Sequence, residues 1–233
     1  MPHTDKTKNY TENQLISAFF ENKGKTDIVT DIVKNFKRIM TYYRCAIKEV
    51  RTKFEVLDEE YSMVHSRNPI VSIHSRLKNA MSIIEKMQRK HIDMSLEDME
   101  EKLSDIAGLR IVCPFIADVY HLERSLLEQD DIELIKRKDY IKEPKSNGYR
   151  SLHLVVSIPV FLSEGKRIMK VEVQIRTLAM DSWATLEHQL KYKKGFALTR
   201  ETENELFMCS HLSNELDERM DNLRMRIINK NGF

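Results

Sequence analysis

The sequence predicts an α+β fold in which a mostly antiparallel β-sheet of about five strands is wrapped by helices and extended by helices at both ends. Three observations lead there. Residues 169–177, MKVEVQIRT, alternate Met169, Val171, Val173 and Ile175 on one face with Lys170, Glu172, Gln174 and Arg176 on the other, the period of a half-buried strand. Residues 150–160, RSLHLVVSIPV, carry the same period, and SEGK at 163–166 reads as a hairpin turn that pairs the two strands antiparallel. Both ends of the chain instead place apolar residues every three or four positions, the mark of amphipathic helices.

Composition narrows the function classes. The chain has 233 residues, 41% of them hydrophobic, enough for a sizeable core. Its 38 Lys and Arg against 36 Asp and Glu leave a net charge of +2, so no global pull on nucleic acid or membrane is expected and attraction must come from local patches. Cys45, Cys113 and Cys209 show no CxxC spacing and are expected as buried free thiols in a reducing compartment. No apolar run approaches the roughly 20 residues that span a bilayer. The start MPHTDKTKNY lacks the apolar core of a signal peptide, so a cytoplasmic protein without a membrane partner is expected.

Taken in order, Thr11 and Gln14 form a capping box for a short helix ending near Gly24. A second helix follows from Thr26 or Asp27, with Ile28, Ile32, Phe36, Ile39, Tyr43, Ile47, Val50, Phe54, Leu57, Tyr61 and Val64 in one stripe and no internal Gly or Pro. Its length leaves open a bend, a break or a subunit contact. After Asn68 and Pro69 comes a short extended piece around Ile70–Ile73, then HSRLKNAMSIIEKMQRK at 74–90, read as a helix with Leu77, Met81, Ile84 and Met87 inward. Arg76, Lys78, Lys86, Arg89 and Lys90 stand against Glu85 alone, which suits either a solvated basic face or a polyphosphate clamp. Ser95 caps a short acidic helix, LEDMEEKL. Asp105 then opens DIAGLRIVCPF, a strand whose polar face begins at Arg110 and which Pro114 ends or puts near an edge.

ADVYHLERSLLEQ is a helix and IELIKRK a strand. From Lys136 to Arg150 six basic residues and two acidic ones are interleaved with Tyr140 and Tyr149 and loosened by Pro144 and Gly148. Such a loop can hold a nucleotide, rings against a base and cations against phosphates, or simply be exposed. His153 points away from the main apolar face, as a structural hydrogen-bonding residue or a catalytic one. Residues 178–192 form an amphipathic helix with the single tryptophan, Trp183, and with Glu187 beside His188 but no HExxH spacing. Leu206, Cys209, Leu212, Leu216, Met220, Leu223 and Ile227 stripe the last helix, whose charged flanks suit a solvated or oligomer-facing position.

The polar face of the sheet therefore offers two carboxylates, Asp105 and Glu172, with Arg110, Gln174 and Arg176 and basic segments at 76–90 and 136–150. Two carboxylates among many cations suit a magnesium-bridged polyphosphate. Neither a Walker A loop nor GxGxxG is present. A glycosidase pair would not call for so many phosphate-seeking cations.

The motifs DIAGLRIVC, YIKEPKSNGYRSLHLVV, VEVQIRT and WATLEHQLKYK, in this order and spacing, resemble the synthetase domain of the RelA/SpoT homologues, specifically the small alarmone synthetases. The resemblance covers about residues 74–194, flanked by helical extensions at 1–73 and 195–233. It implies a mixed sheet wrapped by helices, related to nucleotidyltransferases. It also implies pyrophosphoryl transfer, in which the 3′-hydroxyl of GDP or GTP attacks the β-phosphorus of ATP to give ppGpp or pppGpp and AMP in the stringent response. By motif position Asp105 and Glu172 would hold magnesium, Glu172 also serving as general base. Arg76 and Arg110 would sandwich adenine, and Lys78, Ser82, Lys86 and Arg89 would contact the ATP phosphates. Tyr149 would stack on guanine, with Lys145 and His153 toward the acceptor nucleotide and Gln174 and Glu187 in support, Gln174 on the acceptor side and Glu187 on the ATP side. Lys138 stands where relatives often carry arginine.

No His-Asp dipeptide occurs, and there is no room for the regulatory C-terminal domains of long relatives, so a synthetase-only enzyme is expected. The resemblance also implies a homotetramer and no required nucleic acid. Two rival readings keep the fold: transfer to an adenine nucleotide or tRNA, and a nucleotide- or RNA-binding regulator with a silent catalytic face.

Overall fold

The computed structural model describes residues 11–20, 26–65, 67–192 and 199–231. Thr11 and Gln14 do cap each other at the start of α1 (Glu12–Phe20): the Thr11 N–H donates to Gln14 Oε1 at 2.8 Å and the Gln14 N–H to Thr11 Oγ1 at 3.4 Å. The expected end near Gly24 lies outside the described residues. Helix α2 (Thr26–His65) runs unbroken for 40 residues. Phe36, Ile39, Tyr43, Ile47, Val50 and Phe54 of its stripe are buried, whereas Val64 near its end is 61% exposed.

The stretch at 74–90 departs from the expected helix. Ser72–Leu77 is a strand, β1, and helix α3 begins only at Ala80 and runs to Arg89. The reason is local: the Asn79 side chain accepts the Ser82 N–H at 2.8 Å, an N-cap that starts the helix there. The residues before it pair antiparallel with β2 (Ala107–Cys113). The buried face of α3 is Ala80, Ile83, Ile84 and Met87, so Met81 is 41% exposed and Leu77 belongs to the sheet. Ser95 caps α4 (Leu96–Lys102) as expected, its side chain accepting the Asp98 N–H at 3.0 Å.

Helix α5 (Ile116–Leu127), β3 (Glu133–Asp139), β4 (Leu152–Leu162), β5 (Gly165–Thr177), α6 (Leu178–Tyr192) and α7 (Arg200–Asn231) complete the order. The sheet runs β1-β2-β5-β4-β3, with β2 and β5 parallel and the other three pairs antiparallel. The expected β4–β5 hairpin closes at Leu162 opposite Gly165. Met169, Val171, Val173 and Ile175 are at most 2% exposed, and with α2 and α5 packed on this side of the sheet they centre a core running from Ile16 to Met180.

The expectation of three buried thiols is corrected in part. Cys113 is buried, but Cys45, off the α2 stripe, is only partly so, and Cys209 is exposed together with the α7 stripe to which it belongs. The stripe of α7 faces outward: Leu212, Leu216 and Ile227 are 65%, 53% and 60% exposed, and the helix turns Ser210 and Asp217 inward instead. No helix among the described residues is long and apolar enough to cross a membrane.

Candidate active site

Strand register assembles the floor. Gln174 lies opposite Arg110 on one side and His153 on the other, and Arg110 opposite His74. The next row is Arg76, Gly108, Glu172 and Val155. Opposed residues share a face, so polar side chains from four strands meet on the side away from α2. Gly108, lacking a side chain, leaves the floor open between Arg76 and Glu172. Helix α6 forms a wall with Ala184, Thr185, Glu187, His188 and Gln189, enclosing a cavity of about 660 Å³.

At one end of this cavity Asp105 receives two lysines. Lys78 Nζ donates to Asp105 Oδ2 at 2.6 Å, and Lys86 Nζ, from α3, donates to the same oxygen. Pairing of β1 with β2 brings Lys78 and Asp105 together, the Lys78 N–H meeting the Ile106 carbonyl at 2.9 Å. Burial pushes the Asp105 carboxyl up, but the two lysine hydrogen bonds and charges outweigh it and hold the group below its ordinary value. Burial pulls the Lys78 ammonium down despite its partner. Among the described residues, Asp105 Oδ1 is buried without a hydrogen-bond partner.

Beside it, five side chains close a ring. Gln174 Nε2 donates to Glu172 Oε2 at 3.0 Å, Arg176 Nη2 donates to Gln174 Oε1 at 2.8 Å and to the Tyr149 hydroxyl at 2.6 Å, and that hydroxyl lies 2.8 Å from His153 Nε2. His153 Nδ1 lies 3.8 Å from Glu172 Oε1, an ion-pair distance rather than a hydrogen bond, so four hydrogen bonds and this longer approach bring the five side chains round. With the Tyr149 hydroxyl donating to Nε2, the imidazole carries its proton on Nδ1, facing the carboxylate. Burial raises the Glu172 carboxyl, yet His153 and the Gln174 amide bring it below its ordinary value. Both carboxylates are thus ionised at neutral pH. Burial raises the Tyr149 phenol in spite of Arg176, so it stays a protonated donor.

Tyr149 is presented by a tight turn. The Gly148 N–H donates to the Lys145 carbonyl at 2.8 Å with Gly148 at φ +86°, and the Tyr149 N–H donates to the Asn147 side chain at 3.2 Å. Lys145 Nζ sits 4.6 Å from the ring centres of both Tyr140 and Tyr149. Asn147 Nδ2 donates to Glu187 Oε1 at 3.1 Å, tying the turn to α6.

Of the residues expected from sequence, Arg76, Lys78, Asp105, Arg110, Tyr149, Glu172, Gln174 and Glu187 line the cavity. Lys86, Lys145 and His153 lie one contact behind it, through Asp105, Tyr149 and Glu172. Ser82 and Arg89 share the Lys86 face of α3 by their spacing. Arg89 is exposed on the last turn, and the structure does not bring it to the carboxylates. Sequence reasoning put Arg176 on the right face but assigned it no role. It is only 5% exposed and bridges Tyr149, Gln174 and Asp181. Asp181 also pairs with Arg110 at 3.3 Å and was missed, since nothing in a helical first turn marks it.

Comparison with known proteins bears on the family and the fold. The model of a region found in RelA/SpoT proteins matches residues 75–196. The GTP pyrophosphokinase YwaC of Bacillus subtilis is 38% identical over 201 residues, 86% of this chain and 96% of that one. The GTP pyrophosphokinase YjbM of the same organism is 38% identical over 192 residues, 82% of this chain and 89% of that one. The crystal structure of small alarmone synthetase 1 from Bacillus subtilis bound to its product pppGpp superposes with a TM-score of 0.76 at 36% identity, covering 83% of this chain and 98% of that one. Its AMPCPP-bound form gives a TM-score of 0.72 at 34% identity, covering 84% and 99%. The fold, the matched region and relatives aligned over nearly their whole length establish that this chain belongs to the RelA/SpoT family.

Proposed function

We propose that the cavity is the active site of a (p)ppGpp synthetase that transfers the β,γ-pyrophosphate of ATP to the 3′-hydroxyl of GDP or GTP, releasing AMP. One observation carries the assignment of the chemistry to this cavity: two carboxylates held ionised on its floor, one gripped by Lys78 and Lys86 and the other in the ring with His153 and Tyr149. Glu172 is the residue we assign as base, since an ionised carboxylate fixed by Gln174 can take a proton from a hydroxyl within hydrogen-bond reach. The ring then has a second function: His153, with its Nδ1 proton facing Glu172, holds that carboxylate in place.

Arg76 and Arg110 are diagonal neighbours across β1 and β2. Such neighbours lie about 7–8 Å apart, which suits a planar adenine between two guanidinium groups. Lys78, Ser82, Lys86 and Arg89 supply cations and a hydroxyl for the ATP phosphates, offsetting charge on the transferred group. Lys145, Tyr149 and His153 are assigned to the acceptor purine and its phosphates with Gln174 in support, and Glu187 supports the ATP side.

The carboxylates suit a magnesium ion. Asp105 Oδ1 is an unpartnered acceptor, both groups are ionised, and among the described residues no group of three or more His, Cys, Asp or Glu offers a closed cage. A hard dication held by two carboxylates fills its remaining positions with phosphate oxygens and water. When bound it would supply charge neutralisation on the polyphosphate. In this reading residues 74–194 carry the chemistry between helical extensions at 1–73 and 195–233. The 194/195 boundary itself falls outside the described residues. The outward stripe of α7 supports self-assembly, and we assign a homotetramer. The nucleotide substrates carry a cytoplasmic location with them.

Incubation with ATP, GDP and magnesium, followed by chromatography, is expected to release AMP and form ppGpp. Glu172→Gln is expected to lower turnover by at least ~100-fold while both nucleotides still bind. Absence of product from folded protein, or undiminished turnover in Glu172→Gln, overturns the reading. Labelled adenine nucleotide or tRNA added in competition identifies any other acceptor.

A further inference from the structure

Among the described residues helix α7 contributes no side chain to the cavity lining, yet its inner face touches both residues that follow the central contact of the ring. That contact joins Tyr149 of the turn to Arg176 of β5. One residue beyond Tyr149, Arg150 directs Nη1 toward Asp217 Oδ2 at 4.0 Å. One residue beyond Arg176, Thr177 donates its hydroxyl to the same Asp217 oxygen at 2.8 Å and accepts the Met180 N–H at 3.1 Å, capping α6. A single buried carboxylate oxygen therefore spans the two chain segments that bring Tyr149 and Arg176 together.

A second contact comes from the same face. A Cβ built on Gly148 would stand 2.0 Å from Ser210 Oγ and 2.6 Å from Ser210 Cβ, so the turn before Tyr149 lies directly against α7. Asp217 is 6% exposed and Ser210 likewise 6%. An apolar residue at 217 would avoid the desolvation of a buried carboxylate. What the carboxylate adds is direction, because it faces a buried guanidinium nitrogen of Arg150 that has no hydrogen-bond partner among the described residues.

We propose that Asp217 is a positioning residue for the acceptor nucleotide, holding Arg150 and Thr177 so that Tyr149 and Arg176 meet in the geometry the acceptor purine requires. This rests on the reading above that Tyr149 and Lys145 face the acceptor. It makes α7 part of the acceptor subsite, while the donor side, built from β1, α3 and Asp105, has no contact with Asp217 among the described residues.

The test compares Tyr149→Ala, Asp217→Asn and Ser210→Ala in steady-state assays that vary GDP and ATP separately, with thermal melting as a fold control. Asp217→Asn keeps an acceptor for Thr177 and removes the charge facing Arg150. It is expected to raise KM for GDP by about tenfold, the loss of one charge-assisted contact, with KM for ATP within about twofold. Ser210→Ala, which favours the helix, is expected to raise KM for GDP by about two- to threefold and serves if Asp217→Asn does not fold. A rise in acceptor KM for Tyr149→Ala without one for Asp217→Asn or Ser210→Ala overturns the proposal and leaves the site assignment standing. Equal changes in both KM values, or a lowered melting temperature with unchanged KM, reduce Asp217 to a structural role and also overturn it. No change in acceptor KM for Tyr149→Ala removes the assignment of the turn, and the proposal with it.

Discussion

Helices α2 and α7 carry the same pattern and use it in opposite ways. Each is long and has an apolar residue every three or four positions, yet α2 lays its stripe on the sheet and α7 turns its stripe to the outside. Phe36, Tyr43 and Phe54 are at most 2% exposed, whereas Leu212 and Leu216 are 65% and 53% exposed. What docks α7 is polar: Thr177 on Asp217, and Arg224 at 4.0 Å from an Asp118 that Arg67 also clamps, at 2.6 and 3.0 Å. The lesson is energetic. A period of 3.6 says that a stripe exists, while the surface offered by the rest of the chain selects which face docks.

Four measurements can break or sharpen this contrast. Phe54→Ala empties a fully buried site on α2 and is expected to cost about 3–5 kcal/mol in urea or thermal unfolding. A loss below about 1 kcal/mol would mean that α2 is held by something other than its stripe. Asp118→Ala leaves Arg67 and Arg224 without their shared, buried partner, and a loss of about 3 kcal/mol is expected. An unchanged midpoint would remove the ionic account of how α7 docks. Leu216→Ser should move unfolding at low protein concentration by no more than about 0.5 kcal/mol but reduce the mass seen by light scattering. Unchanged mass with lost stability would place Leu216 in a core.

The smallest effect is one of pH. Burial raises the Asp217 carboxyl, with Asp221 and Glu218 adding to it and Thr177 and Arg150 opposing. A carboxyl raised on folding contributes stability that is full below its unfolded value, about 3.9, and is lost as pH rises through its folded value. Protection factors of α7 amides should therefore rise as neutral solution is made mildly acidic, and Asp217→Asn should remove that rise. Those of α2 should not respond. Equal responses in both helices would show that the inner face of α7 is not distinguished by its charge.

Much of the site was legible because β-strands enforce alternation. Once Glu172, Gln174 and Arg176 share a face, and Arg110 and His153 lie on the polar faces of their own strands, the floor is nearly determined. The ends of elements were harder. His74–Leu77 lies within the stretch read as helical, but Asn79 caps α3 so that the helix begins only at Ala80, and β2 supplies hydrogen bonds that make those residues a strand. Arg176 was on the right face without a role, since its partners Tyr149 and Asp181 come from a turn and a helix that alternation does not connect. Ser210 and Asp217 were invisible as contacts, because a polar residue on an amphipathic helix is ordinarily the solvated one.

By itself, the sequence determined most of the strands and helices, the hairpin that joins β4 to β5, the family resemblance and the two carboxylates, since all of these follow from local periodicity or from motifs contiguous in the chain. Only the tertiary structure decided that β2 lies parallel to β5, that five side chains including Glu172 come together in a ring, and that α7 docks by its polar face. Those outcomes depend on contacts between residues far apart in sequence, and their free energies come from burial and from partners that no local pattern specifies.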